Sequence, residues 1–437
     1  MYDFSKKYNR KNFLDFLKNL LPDDLILKEK EYKDETKKDL IKKIYKLGEV
    51  KSLDQISILE VEHCSINDPR ISLTKKVFSV FNKLSINKAL VIFFCSNSDN
   101  YRFSLIESSF EWKNDTDISK EFSTPKRLSF FLGKEARLHT AHNQFKTKVK
   151  DYKDLKNRFN IEIVNDEFFN QYKNLYLSLH NNLKKDKKFI IFINEKKIKT
   201  FIFAKKLLGQ IVFCYFLQKK GCLGAEKNQT LGAGNKNFLR DQFSKCEKEK
   251  KNFYNDFLEY FFYDGLNSEN VNNYVESIKC KTPYLNGGLF EEISGYDWKK
   301  ESLKLSNDLF SNKSEEGILD IFDLYNFTVD ENDGFDIEIG IDPEMLGKVF
   351  ENLLPENFRK GKGSFYTPRK IVKFMCLDAI RNYLISKTEL NKEKDLIEKL
   401  IELNSLPLEN KSSEYNLNFD KTLLNTVDQY LKNIKIC

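Results

Sequence analysis

The fold of the N-terminal part of the chain is decided by one stretch, Ser52-Leu53-Asp54-Gln55-Ile56-Ser57-Ile58-Leu59-Glu60-Val61-Glu62-His63. Its residues alternate from Ile56 onward, which predicts a strand that carries Glu60 and Glu62 on the same face as the isoleucines. Two carboxylates side by side at the end of an apolar strand are costly unless they are paired or bound to a cation. Glu60 and Glu62 are therefore the first candidate site residues.

The segments that follow predict further elements of one sheet. A helical pattern across residues 73–84 leads to residues 89–94, which are apolar throughout and predict a strand buried on both faces. Residues 101–106 predict another strand after the turn at residues 97–100. Before this group, residues 28–46 are dense in Lys, Glu and Asp, so we expect a solvated amphipathic helix there.

The order strand–helix–strand–strand, with acids on the first strand, resembles the core of PD-(D/E)XK nucleases. In that superfamily Glu-x-Lys supplies a metal-binding carboxylate and a lysine near the attacked phosphate, and the metal activates water. The matching tripeptide here is Glu60-Val61-Glu62, with glutamate at the lysine position. The resemblance implies Mg²⁺ held by Glu60 and Glu62, with Asp54 as the upstream catalytic acid and Glu49 as its alternative. The other interpretation is a pair of surface carboxylates on an edge strand.

The middle of the chain predicts helices. Residues 203–224 predict a buried helix ended by Gly221 and Gly224. Residues 144–188 carry a stripe at helical spacing that is typical of a core, formed by Phe168, Phe169, Tyr172, Leu175, Tyr176 and Leu179. Four basic residues could contact DNA phosphate, although an ordinary solvated charge is the expectation for each: Arg70, Lys75, Lys126 and Arg127.

A second motif, GSFYTPRKIVKFMC, occupies residues 363–376. Its loop ends in Thr-Pro and leads into a helix, which can present backbone N–H groups to a ligand. The motif resembles the first motif of gamma-class N6-adenine DNA methyltransferases, and the preceding IDPEMLGKVFENLL is similar to the segment before that motif in type IIG restriction–modification enzymes. The resemblance implies that Phe365, Tyr366 and Thr367 lie beside S-adenosyl-L-methionine.

The last residues, IKIC at 434–437, are similar to the strand that precedes the glycine-rich motif I of these methyltransferases. Neither that motif, Asp-Pro-Ala-x-Gly-Ser-Gly, nor Asn-Pro-Pro-Tyr occurs in the sequence. We therefore expect S-adenosyl-L-methionine to bind only in the complete enzyme, with the rest of the methyltransferase supplied by further chain or by a second chain.

The composition is typical of a cytoplasmic globular protein. The chain has 437 residues, 41% of them apolar, and a net charge of +8, which permits nucleic-acid binding without establishing it. Its N-terminus lacks the apolar core of a signal peptide, and no uninterrupted run reaches the roughly 18–20 apolar residues of a membrane span. Eight scattered cysteines without Cys-x-x-Cys indicate neither structural zinc nor a disulfide framework. We expect double-stranded DNA as the partner, and no membrane.

These observations predict three regions. Residues 1–142 form an α/β nuclease-like domain, residues 143–330 an all-α spacer, and residues 331–437 the helical opening of a Rossmann-like methyltransferase domain. The predicted function is the N-terminal part of a bifunctional restriction–modification enzyme, an adenine-specific DNA methyltransferase with a Mg²⁺-dependent endonuclease domain. The alternative is a catalytically inactive DNA-binding remnant, or a scaffold subunit for a separately encoded methyltransferase half.

Overall fold

The computed structural model describes residues 2–32, 40–65, 73–74, 77–78, 81, 86–107, 110–112, 120–122, 126–285, 287–293, 295–328, 336–352, 369–387, 394–395, 397–398 and 421–432. The chain divides into two compact units. The first comprises residues 1–106 and 127–362, and the second comprises residues 107–126 and 363–437.

The first unit is built around a mixed sheet of seven strands in the order β1-β2-β3-β4-β5-β8-β11. These strands span Leu25–Tyr32 (β1), Ile41–Val50 (β2), Ile56–His63 (β3), Lys88–Phe94 (β4), Asn100–Glu107 (β5), Lys126–Gly133 (β8) and Asp336–Glu338 (β11). The first three form an antiparallel meander, whereas β4 runs parallel to β3 and β11 runs parallel to β8. The strands predicted from residue 56 onward, at residues 89–94 and at residues 101–106 are thereby confirmed as β3, β4 and β5.

The hairpin of β1 and β2 shows that the helix expected at residues 28–46 is wrong. Residues 26–31 of β1 are exposed along the edge of the sheet, whereas Ile44 and Leu47 of β2 are buried. An edge strand needs no apolar face, and its charged side chains discourage pairing with other chains. The alternation that identifies a half-buried strand is therefore missing from β1.

Both faces of β3 are covered by apolar side chains. Ile58 packs in the larger of two apolar clusters together with residues of α1 (Arg10–Leu20), while Leu59 and Val61 pack in the smaller cluster together with Phe81. Burial on both faces is what an interior strand of an α/β protein shows. The α/β organisation predicted for the N-terminal part is therefore confirmed.

The helices of the middle region pack into the same larger cluster. Phe168, Tyr172 and Leu175 are buried along the helix Ile161–Lys185 (α4), which confirms the predicted core stripe. The helices that follow the sheet span His139–Gln144 (α2), Tyr152–Arg158 (α3), Ile161–Lys185 (α4), Lys187–Glu195 (α5), Thr200–Lys219 (α6), Phe238–Lys248 (α7) and Ile318–Phe322 (α8). A short antiparallel pair, β9 (Tyr274–Val275) and β10 (Cys280–Lys281), lies between α7 and α8 in the chain.

Helix α6 is long and apolar enough to cross a membrane, yet 61% of its apolar window is buried inside the protein. Such burial is typical of a core helix, which the sequence predicted here. The chain leaves α6 through Gly221, whose φ is +73°. A Cβ atom at that position would lie 2.2 Å from the carbonyl oxygen of Gly232, so both the turn and the close approach require glycine.

The first unit extends past the boundary expected at residue 330. β11 pairs with β8, so residues 336–338 complete the N-terminal sheet. The next helix, α9 (Glu344–Asn352), buries Met345 and Val349 in the larger apolar cluster. The boundary expected at residue 142 also falls within this shared core, because Ala141 and Phe145 both belong to the cluster.

Two consecutive π-helical segments, Tyr254–Leu258 and Tyr260–Leu266, meet at Glu259. π-Helical turns are rare and persist where their surroundings hold them. The buried Glu259 carboxyl accepts hydrogen bonds from Asn255 Nδ2 at 2.9 Å and from the hydroxyl of Tyr296. Burial raises the pKa of Glu259 to about 8.

The second unit contains the antiparallel pair β6 (Phe110–Trp112) and β7 (Lys120–Phe122) and the helices α10 (Arg369–Ile385) and α11 (Lys421–Lys432). Leu384, Ile397 and Val427 form its apolar cluster. α10 confirms the helix predicted after the Thr-Pro loop, and its apolar residues Ile371, Val372 and Met375 are exposed. The candidate cofactor residues Phe365, Tyr366 and Thr367 and the predicted terminal strand at 434–436 lie outside the described residues.

Candidate functional site

The two candidate glutamates lie toward the carboxyl ends of β3 and its parallel neighbour β4. Glu60 stands opposite Ile92 of β4 and Tyr45 of β2, and Glu62 stands opposite Phe94 of β4. Ligands of sheets with parallel strands bind preferentially at the carboxyl ends of those strands. This edge is therefore the candidate functional site of the first unit.

Glu60 is only 2% exposed, and both of its carboxylate oxygens accept hydrogen bonds. Arg10 donates from Nε to Oε2 at 2.9 Å and from Nη2 to Oε1 at 2.5 Å, and the Tyr8 hydroxyl donates to Oε2 at 2.5 Å. A forked arginine–carboxylate pair combines charge with two directional bonds, which makes it one of the stronger polar contacts in proteins. The charge of Glu60 is thus neutralised within the protein.

The two donors to Glu60 are themselves held in place. Arg10 also donates to Glu29 at 2.5 Å, and its guanidinium lies 4.3 Å from the centre of the Tyr45 ring. The hydrogen bonds to Glu60 raise the pKa of Arg10. Burial, followed by the charge of Glu60, raises the pKa of the Tyr8 hydroxyl. Both groups therefore stay protonated at neutral pH and keep donating to the carboxylate.

Glu62 has a more open environment than Glu60. Among the described residues it pairs with Lys42 on β2, whose Nζ lies 3.5 Å from Oε1. The same Nζ lies 3.2 Å from the Oγ of Ser96, which follows β4, and Lys7 Nζ donates to the Ser96 carbonyl at 2.5 Å. Two lysine ammonium groups therefore meet at Ser96 beside Glu62.

The expected upstream acids do not join this edge. Asp54 lies in the turn before β3 and pairs with Lys88 Nζ at 2.7 Å. Glu60 lies four residues beyond Ile56, the first residue of β3, which corresponds to about 13 Å along the strand, and Asp54 precedes Ile56. Glu49, near the end of β2, pairs with Lys46 at 2.6 Å, and this contact lowers the pKa of Glu49. Asp54 and Glu49 are thus each engaged by a nearby lysine, away from Glu60.

The described side chains do not fit a Mg²⁺ site at this edge. Mg²⁺ needs accessible carboxylate oxygens, whereas Arg10 and Tyr8 occupy both oxygens of Glu60. Within the described ranges, no group of three His, Cys, Asp or Glu side chains is arranged to hold a metal ion. The interpretation of surface carboxylates on an edge strand is wrong, because β3 is interior and Glu60 is buried. Metal binding by Glu60 would require Arg10 to leave.

Arg127, expected as a solvated charge, is fully buried, so that interpretation is wrong. Its Nε donates to Ser104 Oγ at 3.2 Å and its Nη1 to Thr74 Oγ1 at 2.7 Å. The guanidinium lies 3.9 Å from the centre of the Phe93 ring, which adds a cation–π contact. Arg127 therefore belongs to the interior of the sheet. Its neighbour Lys126 is exposed, and the other two basic candidates, residues 70 and 75, lie outside the described residues.

No protein-family model and no solved structure match the chain. It is 28% identical over 198 residues to a protein of Methanocaldococcus jannaschii named "Putative type II restriction enzyme and methyltransferase". The similar region covers 42% of this chain and 15% of that relative, so the chain matches only a small share of the relative's length. This chain is therefore similar to one part of a restriction–modification protein.

Proposed function

We propose that this chain is the N-terminal part of a restriction–modification enzyme that acts on double-stranded DNA. The similarity to the archaeal protein supports this, because that protein is named as both a restriction enzyme and a methyltransferase. The mixed sheet, with an antiparallel meander followed by the parallel pair β3–β4, supports a nuclease-like first region. At the finer level we propose that the complete protein is cytoplasmic, resembles type IIG enzymes in its organisation and carries a gamma-class N6-adenine methyltransferase.

Our choice of DNA binding over DNA cleavage rests on one observation, the closed pair of Arg10 and Glu60, in which Arg10 donates to both carboxylate oxygens. Removing one partner of a buried ion pair costs about 3–5 kcal/mol, because the remaining charge is left in a low-dielectric interior. A Mg²⁺ ion would have to displace Arg10 from Glu60 before it could use that carboxylate. We therefore assign the first unit of this chain a DNA-binding role without cleavage.

One preparation tests both parts of this assignment. Wild type and Glu60→Ala are titrated with a labelled DNA duplex and, in parallel, incubated with supercoiled plasmid and Mg²⁺. We expect salt-sensitive duplex binding by both proteins and intact plasmid with both. Absence of duplex binding by wild type would contradict the DNA role. Plasmid cleavage that is lost in Glu60→Ala would contradict the non-cleaving role.

The second candidate function is Mg²⁺-dependent cleavage by Glu60 and Glu62, and one observation favours it. The two carboxylates share a face of β3, and the Lys42 contact that holds Glu62 is long, at 3.5 Å. If DNA binding withdraws Arg10, the two glutamates would be the residues that hold the metal, which would supply charge neutralisation at the phosphate. The plasmid assay above distinguishes this function from binding alone.

Adenine methylation is proposed for the complete enzyme. Phe365, Tyr366 and Thr367 would form one wall of the S-adenosyl-L-methionine site, and the glycine-rich and Asn-Pro-Pro-Tyr motifs would come from further chain or a second chain. Co-expression with a chain that carries those motifs tests this, with adenine methylation of the host plasmid as the readout. Restored methylation supports the proposal, and failure of the two chains to associate contradicts it.

A further inference from the structure

We infer that Lys7, Lys42 and Ser96 form a binding site for one phosphodiester group of the DNA backbone. The inference rests on the proposed DNA-binding function and deepens it by naming the residues that meet the phosphate. Lysine ammonium groups and serine hydroxyls are common phosphate contacts in protein–DNA complexes. Here they converge at the carboxyl end of the parallel pair β3–β4, where ligands of such sheets bind.

Lys42 reaches this position because β2 contains a bulge. Ile41 stands opposite His63 and Lys43 stands opposite Glu62, so Lys42 is an extra residue without an opposing residue on β3. Bulges turn a side chain away from the regular alternation and are common beside functional sites. The bulged Lys42 places its Nζ 3.2 Å from Ser96 Oγ, and its side chain remains 41% exposed.

Lys7 reaches the same place from an N-terminal arm, residues 2–9, that is fixed at both ends. At one end Phe4 is buried in the core, and its carbonyl accepts a hydrogen bond from the N–H of Gly133 at 3.0 Å. At the other end the Tyr8 ring packs on that of Phe94, with centroids 4.7 Å apart. The exposed Lys7 lies between these anchors, so its backbone is positioned before any ligand arrives.

The charges around Ser96 favour an anion. Glu60 and the exposed Glu29 share Arg10, and the carboxylate that contacts one of the two lysines is Glu62. At Ser96 itself, two ammonium groups stand against this one carboxylate, so the immediate surroundings of Ser96 favour an anion such as a phosphodiester. Both lysines and Ser96 are exposed, so a DNA strand can reach them without any rearrangement of the core.

The experiment measures duplex binding by fluorescence anisotropy from about 50 to 200 mM NaCl, a range over which phosphate contacts dominate the salt dependence. The test variant is Lys7→Ala/Lys42→Ala. The control, Lys148→Ala/Lys300→Ala, removes the same charge from two exposed lysines that pair with Asp23 and Asp297 elsewhere on the surface. Thermal melting of all three proteins checks that they are folded.

We expect the slope of log K against log [NaCl] to become less negative by about one in the test variant, which corresponds to the loss of one phosphate contact. At about 0.1 M salt this corresponds to roughly tenfold weaker binding. The control should keep the slope of wild type. A wild type that binds while the test variant keeps its slope would overturn the phosphate site and leave the DNA-binding function intact. A wild type that does not bind DNA would overturn both.

Discussion

Arg10→Ala should destabilise the first unit by about 2–3 kcal/mol at neutral pH. The variant leaves the Glu60 carboxylate buried, at 2% exposure. Of the two residues that donate to this carboxylate, Arg10 and Tyr8, the variant keeps Tyr8. Removing one partner of a buried pair costs about 3–5 kcal/mol in general. The side chain of Arg10 is 33% exposed, so water can partly replace it, and the expected cost falls to about 2–3 kcal/mol, at or below the lower end of that range.

Urea denaturation followed by circular dichroism measures this loss, and a double-mutant cycle with Glu60→Gln isolates the pair itself. We expect a coupling free energy of about 2 kcal/mol between the two positions. Lys148→Ala is the matched control, because its ion pair with Asp23 is exposed and should contribute less than about 1 kcal/mol. An Arg10→Ala loss no larger than that of the control, or strictly additive effects in the cycle, would refute the closed pair.

Three further changes test the rest of the first unit. Burial raises the pKa of Glu259 from 4.5 to about 8, so between these pH values the native state holds a proton that the unfolded state releases. The free energy of unfolding of wild type should therefore fall by up to about 1.4 kcal/mol per pH unit in this interval. In Glu259→Gln the urea-denaturation midpoint should depend less on pH over the same interval. Phe159→Ala should lower the free energy of unfolding by about 3–5 kcal/mol, and the protein should still unfold in a single cooperative transition. The control Ile191→Ala, at an exposed position, should lower it by less than about 0.5 kcal/mol. Separate unfolding transitions would contradict a shared core. Gly221→Ala should lower the free energy of unfolding by about 2 kcal/mol or more. The control Gly287→Ala should leave stability nearly unchanged, because a Cβ atom there meets nothing within 4 Å. Equal melting temperatures of the two variants would contradict the tight turn at Gly221.

The sequence predicts an element well wherever its burial follows a local period. β3, β4 and β5 show alternating or continuous apolar residues, and α4 repeats its buried positions at helical spacing. In each case the side chains that enter the core are neighbours in sequence, so the pattern records the packing directly. The strand β1 could not be predicted in this way, because an exposed edge strand buries too few side chains to produce a periodic apolar pattern in the sequence.

The environment of Glu60 could not be predicted in this way. The alternation places the carboxylate on the core face of β3, but the residues that neutralise it, Tyr8 and Arg10, are about fifty residues earlier in the chain. The local sequence around a carboxylate is the same whether that carboxylate pairs with a distant arginine or is available to bind a metal ion. The burial of Arg127 is hidden for the same reason, since Phe93 and Thr74 meet it only in the folded sheet.

The late pairing of β11 with β8 has a consequence for synthesis on the ribosome. The strand that closes the sheet emerges only after the whole helical region has been translated, and the ion pair between Arg102 and Glu338 at 2.8 Å cannot form before then. Until that point β8 presents an open hydrogen-bonding edge on a nascent chain, which is a template for misassociation. Chains that terminate early within residues 143–330 should consequently be recovered as aggregates or as chaperone-bound species.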